Sequence, residues 1–321
     1  MTLDPYLASI LPELAGMPDD VDFTAYRDVD RRRSDAMFAT VGQPGPDVRA
    51  RDLVRIPVDG GEIEALVYVP FGPGPHPAHL FVHGGGWALG SIHHAIVDAT
   101  CRERCVGAGC VVVSVGYRKA PQAKFPVPLE DCRAALAWLV DEAEAHDVRP
   151  DRITVGGQSA GANLAAALTL KVRDEGGPPL AFQLLEVPAL DLTLRSPSLT
   201  AFATGFGLTA SDMRQFRRAY LNRLDEATHA YASPALAPDL AGLPPAHVMT
   251  AEFDPIRDDG TLYARRLAEA GVPASYAMHP GHVHGSGSFT AVMEAARAWR
   301  DEIVRVLARA HAGEAISRAR S

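Results

Sequence analysis

A serine lies between two glycines at residues 157–161, which read Gly-Gln-Ser-Ala-Gly. Glycines at those two places let a strand and the helix after it approach closely, so the hydroxyl of Ser159 can sit on a tight turn above a sheet. Such a turn also aims the amide of Ala160, at a helix N-terminus, at the same point. Because the pattern also occurs in ordinary turns, it makes Ser159 a candidate nucleophile that needs support from other residues.

Residues 83–87, which read His-Gly-Gly-Gly-Trp, directly follow an apolar run that predicts a strand. Three glycines free the backbone to present successive amides to a negatively charged oxygen, where a side chain would crowd a reacting carbonyl group. A merely flexible loop is the structural alternative. The glycine-rich loop and the serine turn are far rarer together, in this order, than either is alone, which favours acyl transfer to Ser159.

An attacking serine needs a base to take its proton and an acid to orient that base, and in a sheet of this kind the acid precedes the histidine in the chain. Asp254 directly follows a predicted strand, at the end where open α/β sheets place their sites. Its alternative role is an ordinary Asp-Pro turn, because Pro255 follows it. His284 stands between the last predicted strand and the last predicted helix, which makes it the candidate base.

Three other histidines follow Asp254 in the chain: His279, His282 and His311. His282 is the rival base, two residues from His284, and we expect it to be a surface loop residue. His311 lies in the C-terminal tail and is set aside. A zinc site at His279, His282 and His284 would need carboxylate ligands and a fixed geometry. We therefore predict that the chain uses neither a metal nor another cofactor.

Strand and helix patterns alternate along the chain around these residues. Two strands joined through Asp59, Gly60 and Gly61 predict an antiparallel hairpin. The predicted strands cover residues 52–58, 62–69, 78–82, 110–115, 153–155, 180–187, 246–251 and 274–278. The predicted helices cover residues 93–106, 129–146, 162–175, 211–224, 259–270 and 289–310. This order indicates an α/β fold, with a mostly parallel eight-stranded sheet and helices on both faces.

Two segments interrupt the alternation. Residues 1–50 contain short helical stretches but no convincing strand, and residues 191–240 are mainly helical. We expect both to fold together as a cap over a core formed by residues 51–190 and 241–321. The strand at residues 274–278 comes last in the sheet and would be an edge, so a homodimer through that edge is a hypothesis.

The charge and the composition narrow the classes of partner. The chain of 321 residues has a formal net charge of −8 and no basic patch, which argues against nucleic acid as a partner. Neither a signal peptide nor an apolar run long enough to span a membrane is visible. The four cysteines, with Cys101 and Cys105 one helical turn apart, fit buried thiols in a reducing compartment. We therefore expect a soluble cytoplasmic protein without a membrane partner.

Five motifs in this order make the chain resemble the hormone-sensitive-lipase family of α/β-hydrolases, over nearly all of residues 78–310. They are the glycine-rich loop, residues 117–121 with 125–126 and 130–131, the serine turn, residues 254–258 and residues 281–285. The resemblance implies the α/β-hydrolase fold and a catalytic triad of Ser159, Asp254 and His284. It also implies an oxyanion hole made by the amides of Gly85, Gly86 and Ala160.

Two departures from the family pattern flank the expected chemistry. Gln158 stands where the family usually has an aspartate before the serine, and Ser286 stands where a phenylalanine usually follows the His-Gly pair. The serine turn, residues 171–192 and residues 284–286 are most similar to the bacterial heroin esterases of this family. That likeness implies an acetylesterase that acts on acetyl esters of a bulky alcohol. The candidate substrate-binding residues are Trp87, Gln158, Phe202 and Phe206.

The expected activity is hydrolysis of carboxylic esters with a short acyl group, above all acetyl, in a small-molecule substrate. A lipase would need a broad apolar entrance, and residues 191–240 offer only scattered apolar side chains such as Phe202 and Phe206. An amidase would use the same triad, since the leaving group has no motif of its own. A third alternative is a receptor: plant gibberellin receptors resemble the family without hydrolysing their ligand, but they lack the histidine that His284 supplies here.

Overall fold

The computed structural model describes residues 2–14 and 16–314 and shows one eight-stranded sheet in them. In chain order its strands are β1 (Ala50–Val58), β2 (Gly61–Val69), β3 (His76–Val82), β4 (Val111–Gly116), β5 (Val148–Gln158), β6 (Phe182–Glu186), β7 (Ala246–Phe253) and β8 (Ala274–Val283). Their order across the sheet is β1-β2-β4-β3-β5-β6-β7-β8. β2 pairs with β1 and β4 in antiparallel fashion, and the other pairs are parallel. The predicted hairpin and the mostly parallel sheet are confirmed.

Helices cover both faces of the sheet. They are α1 (Pro5–Ile10), α2 (Phe23–Val41), α3 (Ala95–Ala108), α4 (Val127–Asp141), α5 (Ala160–Glu175), α6 (Pro197–Ala201), α7 (Ala210–Tyr220), α8 (Arg257–Glu269) and α9 (Glu294–Ala312). Short 3₁₀ turns lie at Leu11–Leu14, Leu224–Thr228, Pro234–Leu236 and Ser286–Ser288. α3 and α9 pack together on one face, and α4, α5 and α8 cover the other.

Strand β4 shows how the sheet becomes the middle layer. Val111 and Val113 pack in the cluster formed with α4 and α5, while Val112 packs against α3 on the opposite face. β-branched side chains suit a strand that is covered on both sides. Cys101 and Cys105 lie on the buried face of α3 as free thiols, so the interpretation of these cysteines as core residues is confirmed.

The last helix begins later than the sequence predicts. α9 starts at Glu294, whereas residues 289–293 form turns. The amide of Ala291 donates to the carbonyl of Val41 at 2.8 Å, at the end of α2. This contact joins the segment before α9 to the end of α2 and gives the amide of Ala291 its acceptor.

Several other boundaries differ from the prediction. α2 is a helix of 19 residues rather than a short stretch, and the Asp22 side chain accepts amides of its first turn. α4 and α7 end a few residues early, at Asp141 and Tyr220. β5 already begins at Val148, and β8 continues to Val283. The longer β8 affects the site, because it takes residues 279–283 into the sheet.

The N-terminal segment and the 191–240 insertion contact each other. The carboxylate of Asp212 on α7 accepts the amide of Met17 at 3.0 Å. The rings of Phe23 on α2 and Phe216 on α7 stack with their centroids 5.4 Å apart. The two segments therefore pack as neighbours, while their action as a cap stays a prediction.

The helices and the edge strand of the sheet bear on the expected location and assembly of the chain. The described residues contain no helix that is both long and apolar enough to cross a membrane. β8 is an edge of the sheet as predicted, since β7 is its one strand partner in the described chain. Residues 315–321, which the prediction assigned to the core, lie outside the described residues. The cytoplasmic location and the homodimer stay predictions.

Candidate active site

The serine turn joins β5 to α5 in a strained conformation. Ser159 has φ 54° and ψ −118°, a combination that residues with a side chain rarely adopt. Its amide donates to the carbonyl of Glu186 on the neighbouring strand at 2.9 Å, which holds the turn in place. A Cβ on Gly161 would lie 2.0 Å from the carbonyl oxygen of Val82, so only glycine lets α5 approach β3 this closely.

The structure brings together the three residues predicted for acyl transfer. Nε2 of His284 lies 3.0 Å from Oγ of Ser159, and Nδ1 of His284 lies 2.8 Å from Oδ2 of Asp254. The three follow β8, β5 and β7, so they meet at the carboxyl ends of parallel strands. A hydroxyl, an imidazole and a carboxylate in this order of contacts can pass a proton from the serine to the histidine.

Asp254 orients the imidazole ring of His284. Its side chain is fully buried, and its other oxygen, Oδ1, accepts the amide of Ile256 at 2.9 Å. Because a carboxylate only accepts hydrogen bonds, Nδ1 of His284 carries the proton that it donates to Asp254. In the neutral ring Nε2 then has no proton and can accept the one from the hydroxyl of Ser159.

His282 is buried in the fold, which shows that the prediction of a surface loop residue is wrong. It is 1% exposed, since β8 continues past it, and its ring lies 5.3 Å from that of Trp299 between centroids. Its Nδ1 lies 2.8 Å from Oγ of Ser286. Burial, together with the neighbouring His279, lowers the pKa of His282 to about 4. The polar contact of this ring is therefore with Ser286 and not with the candidate nucleophile.

His311 does not lie in a tail, so this prediction is also wrong. It belongs to the last turn of α9, it is buried, and its Nε2 lies 3.1 Å from Oγ1 of Thr154 on β5. The helix continues far enough to bring this side chain back over the sheet. Within residues 2–14 and 16–314, the His, Cys, Asp and Glu side chains form no group of three or more that could hold a metal ion.

Residues 83–90, called the glycine loop below, connect β3 to the segment before α3. Gly85 and Gly86 have φ of 114° and 57°, where glycine is favoured. In the described chain neither of their amides donates to a protein acceptor, and both residues line the cavity in front of Ser159. Ala160 is the first residue of α5, where amides have no partner inside the helix. The three predicted oxyanion donors thus border the serine with their amides uncommitted.

Arg27 on α2, which was not among the residues predicted from the sequence, holds the glycine loop from outside. Its Nε donates to the carbonyl of Ala88 at 3.0 Å, and its Nη2 donates to the carbonyl of Ala120 at 2.7 Å. One turn later on α2, the carboxylate of Asp30 accepts the amide of Gly90 at 3.4 Å. No local sequence pattern indicates these contacts, because each joins residues at least 60 positions apart.

A cavity of about 350 Å³, called the catalytic cavity below, opens in front of Ser159 and His284. Two of the predicted substrate-binding residues, Trp87 and Gln158, line it. The indole of Trp87 is fully buried and donates its Nε1 to Oδ1 of Asn163 at 3.2 Å. Trp87 therefore supports the wall of the cavity and has no polar group left for a substrate.

Phe202 and Phe206, the other two predicted substrate-binding residues, are not part of this lining. Their rings pack against Phe253, with centroid distances of 5.8 and 5.3 Å. They form an aromatic cluster between the insertion and the end of β7 instead. The insertion lines the catalytic cavity with other apolar side chains, namely Leu208, Met213 and Phe216.

Two further cavities adjoin the catalytic cavity. One of about 280 Å³, called the histidine-side cavity, shares His284, Met17, Asp30, Gly207 and Leu208 with it. One of about 30 Å³, called the glutamine-side cavity, shares Gln158, Glu186, Gly287, Ser288 and Trp299 with it. The space around the serine is therefore roomy on the side of the histidine and almost closed on the side of Gln158.

Comparisons with known sequences show the family to which the chain belongs. The profile of a family described as alpha/beta hydrolase fold matches residues 79–287. The carboxylesterase NlhH of Mycobacterium tuberculosis is 42% identical over 223 residues, which cover 68% of this chain and 69% of that protein. The carboxylic ester hydrolase LipN of the same organism is 37% identical, over 97% of this chain and 83% of that protein.

Solved structures are similar over almost the whole chain. A hyperthermophilic esterase from the archaeon Pyrobaculum calidifontis has a TM-score of 0.90 and 37% identity, over 96% of this chain and 98% of that one. A bacterial heroin esterase has a TM-score of 0.87 and 37% identity, over 96% of this chain and 98% of that one. The chain belongs to the alpha/beta hydrolase fold family and, within it, to the hormone-sensitive-lipase group of carboxylic-ester hydrolases.

Proposed function

We propose that this carboxylesterase hydrolyses esters of short acyl groups, above all acetyl, through an acyl-enzyme on Ser159. The observation that carries the proposal is the pair of contacts at His284, 3.0 Å to Oγ of Ser159 and 2.8 Å to Oδ2 of Asp254. Through these contacts Ser159 can act as the nucleophile, His284 as its base and Asp254 as the acid that orients the base. This chemistry requires neither a metal nor a cofactor.

Acylation begins when Oγ of Ser159 attacks the carbonyl carbon of the ester and Nε2 of His284 takes the hydroxyl proton. The carbonyl oxygen becomes an anion, which the amides of Gly85, Gly86 and Ala160 stabilise. When the tetrahedral intermediate collapses, the C–O bond to the alcohol breaks and His284 returns the proton to the leaving oxygen. Each amide donor in such a site typically lowers the barrier by about 2.7–4 kcal/mol.

Deacylation repeats these steps with water. His284 takes a proton from the water that attacks the acyl carbon, and it then returns a proton to Oγ of Ser159 as the carboxylic acid leaves. Asp254 stabilises the imidazolium that exists between the two proton transfers. Because Asp254 is fully buried and bonded to the amide of Ile256, it holds the ring in one orientation through both halves of the cycle.

The shape of the site supports a small acyl group and a larger alcohol. His284 must reach the leaving oxygen, so the alcohol portion extends toward the histidine side. There the adjoining cavity measures about 280 Å³, whereas the cavity beyond Gln158 measures about 30 Å³. The predicted substrate, an acetyl ester of a bulky alcohol, fits this asymmetry. A long-chain triglyceride, the substrate expected of a lipase, does not fit it.

Residues 1–50 and 191–240 act as the cap of the site in this proposal. Met17 and Asp30 from the first segment and Met213 and Phe216 from the second line the catalytic cavity. Side chains of both segments therefore form part of the wall of the cavity in front of the serine. The large alcohol would contact them first, which makes the cap the selector of the alcohol.

Two series of substrates test the proposal. In 4-nitrophenyl esters from acetate to decanoate, kcat/KM should be highest for the shortest acyl groups, and in acetyl esters it should tolerate large alcohols. Ser159→Ala should remove turnover while the circular dichroism spectrum stays unchanged. Equal rates for decanoate and acetate would instead support a lipase, and faster cleavage of 4-nitroacetanilide than of the ester would support an amidase.

We also propose that the chain forms a homodimer through β8 and that it is located in the cytoplasm. In the described residues β7 is the one strand that pairs with β8. The carbonyl of Gly281 accepts the amide of Asp4 at 3.1 Å, and along the rest of this edge two copies could pair. Light scattering of the purified chain should give the mass of a dimer. A monomeric mass at micromolar concentration would contradict this assembly without affecting the proposed chemistry.

A further inference from the structure

A buried ion pair lies directly behind the serine turn. Arg104 on α3 and Glu186 on β6 are bonded through Nη2 and Oε1, and each side chain is 2% exposed. Burying two charges is expensive, so such a pair is retained where both charges are held by further polar contacts. The proposed acyl transfer uses neither residue.

Arg104 is fixed by contacts on the far side of the sheet. Its Nη1 lies 3.3 Å from Nε2 of His79, and its guanidinium carbon lies 4.4 Å from the centre of the Phe81 ring. Since arginine can only donate, Nε2 of His79 accepts and its Nδ1 donates to Oγ1 of Thr154 at 2.9 Å. Burial, reinforced by Arg104, lowers the pKa of His79 well below its ordinary value, which keeps this ring neutral.

Glu186 carries the network into the catalytic cavity. Its Oε2 accepts Nε1 of Trp299 at 3.1 Å and faces Nε2 of Gln158 at 3.4 Å. Its backbone carbonyl accepts the amide of Ser159 at 2.9 Å. Gln158, Glu186 and Trp299 all line both the catalytic cavity and the glutamine-side cavity. They therefore form the wall between the two, called the glutamate wall below.

We infer that Glu186, held in place by Arg104, determines acyl specificity by ending the acyl side of the site with a buried charge. The inference rests on the proposed function, because it assigns the side of Gln158 to the acyl group. An acetyl methyl group can stop short of the wall. A longer alkyl chain would lie against the carboxylate and separate it from its donors, which leaves polar groups buried without partners.

The space behind the wall gives a longer chain no alternative path. The glutamine-side cavity, at about 30 Å³, is far smaller than the catalytic cavity of about 350 Å³. Glu103, Arg104 and Arg300 also line it, so it is charged as well as small. Neither the size nor the chemistry of this cavity suits methylene groups.

The test replaces both charges together, because removal of one partner would leave the other charge buried and unpaired. In R104M/E186M the wall keeps a similar volume and becomes apolar. The ratio of kcat/KM for 4-nitrophenyl hexanoate to that for the acetate should rise at least about tenfold, the discrimination that a methylene group supplies in an apolar pocket. The ratio for large and small alcohols in acetyl esters should stay as in the wild type.

Two further variants keep the test decisive. In E186Q the side chain keeps its shape and an amide oxygen that can still accept from Arg104, while the negative charge is lost. The hexanoate ratio should therefore rise in the same direction by a smaller factor even if the double variant does not fold. D98N removes a carboxylate from the outer part of the same helix, where Asp98 binds Arg102 at 2.6 Å, and should leave the ratio unchanged.

A wild-type hexanoate ratio in folded E186Q, and in R104M/E186M where it folds, would overturn the inference while leaving the proposed function intact. A wild-type enzyme that already prefers hexanoate to acetate would overturn the short-acyl proposal itself. A change in the alcohol series instead of the acyl series would show that the glutamate wall faces the alcohol, which also contradicts the inference.

Discussion

The ring of Phe216 occupies the space that a Cβ on Gly86 would need: such an atom would lie 2.1 Å from Cδ1 of the ring. Helix α7 of the insertion thus packs directly on the glycine loop, at the residue whose amide is proposed to bind the oxyanion. Gly86 also has φ 57°, which a residue with a side chain adopts only under strain. The contact with Phe216 and the positive φ of Gly86 both mean that a side chain at this position would disturb the proposed oxyanion site.

Gly86→Ala should therefore reduce kcat by about 10²- to 10³-fold, the loss that follows when one oxyanion donor is misplaced. We expect the protein to stay folded, because the nearest atoms that the added methyl group would meet belong to one side chain, Phe216, which lines the catalytic cavity. Steady-state kinetics with 4-nitrophenyl acetate and a thermal melt measure the two effects.

The double variant G86A/F216A separates the clash from the backbone strain. Without the ring of Phe216 the new methyl group has room, so part of the lost kcat should return relative to G86A. Activity of G86A close to that of the wild type would show that this amide is not needed for the oxyanion.

Arg27→Met should lower kcat with little change in KM. The variant loses the hydrogen bonds to the carbonyls of Ala88 and Ala120, which hold the glycine loop. A small displacement of the donors affects the transition state more than the bound ester, and we expect a loss of roughly tenfold.

Arg32→Met on the exposed part of the same helix is the matched control, and it should keep the wild-type kcat. Arg27→Lys should restore part of the activity, since an ammonium group can reach one carbonyl but not both. An unchanged kcat in Arg27→Met would mean that the glycine loop keeps its shape without α2.

Acid should destabilise the protein through its buried histidines. Burial lowers the pKa of His83 to about 3 and that of His282 and His311 to about 4. In the unfolded chain these rings take up protons near the ordinary pKa of about 6.5, so below that pH the unfolded state binds more protons than the folded state. The free energy of unfolding should fall as the pH drops, by up to about 1.4 kcal/mol per pH unit for each such histidine.

His282→Asn tests this linkage at one position. The variant cannot take up the proton, so its urea-unfolding free energy should decline less steeply than that of the wild type as the pH falls from about 6.5 toward 4. The absolute stability at neutral pH should be lower, because the packing on Trp299 is lost. Parallel pH profiles for the two proteins would contradict the assignment of His282 as a buried neutral ring.

His284→Ala and His282→Asn should separate catalysis from stability. The first variant loses the base that lies 3.0 Å from Ser159, and kcat should fall by about 10⁴-fold or more while the melting temperature changes little. The second should melt earlier but retain turnover at temperatures where it is folded. The reverse pattern would show that His282, and not His284, takes the proton of the serine.

The sequence predicted those features of the site that depend on neighbours along the chain. Glycines beside Ser159 are required by the closeness of strand and helix, which gives the pattern a steric meaning that can be recognised before folding. Asp254 and His284 could be chosen because each stands at a strand end, and strand ends follow from hydrophobic periodicity. The mostly parallel sheet with helices on both faces followed from the same periodicity.

What the sequence did not predict depends on contacts between distant residues. Arg27, Glu186 and Phe216 lie near the serine because α2, β6 and α7 meet there. No spacing of residues in the sequence indicates that these three elements meet. The sequence prediction ends β8 too early, because Pro280 and Gly281 are residues that usually break strands. At a sheet edge a missing amide costs nothing, and Glu252 accepts the amide of Gly281 at 2.8 Å, so the strand continues and buries His282.

Covalent labelling tests the central claim most directly. A fluorophosphonate reacts only with a serine whose hydroxyl is activated by a base beside an oxyanion site. After reaction and proteolysis, mass spectrometry should find one phosphonyl group per chain, on the peptide that contains Ser159, and none in the His284→Ala variant. A wild-type chain that stays unlabelled, or that carries the group on another residue, would contradict the assignment of Ser159 as the nucleophile.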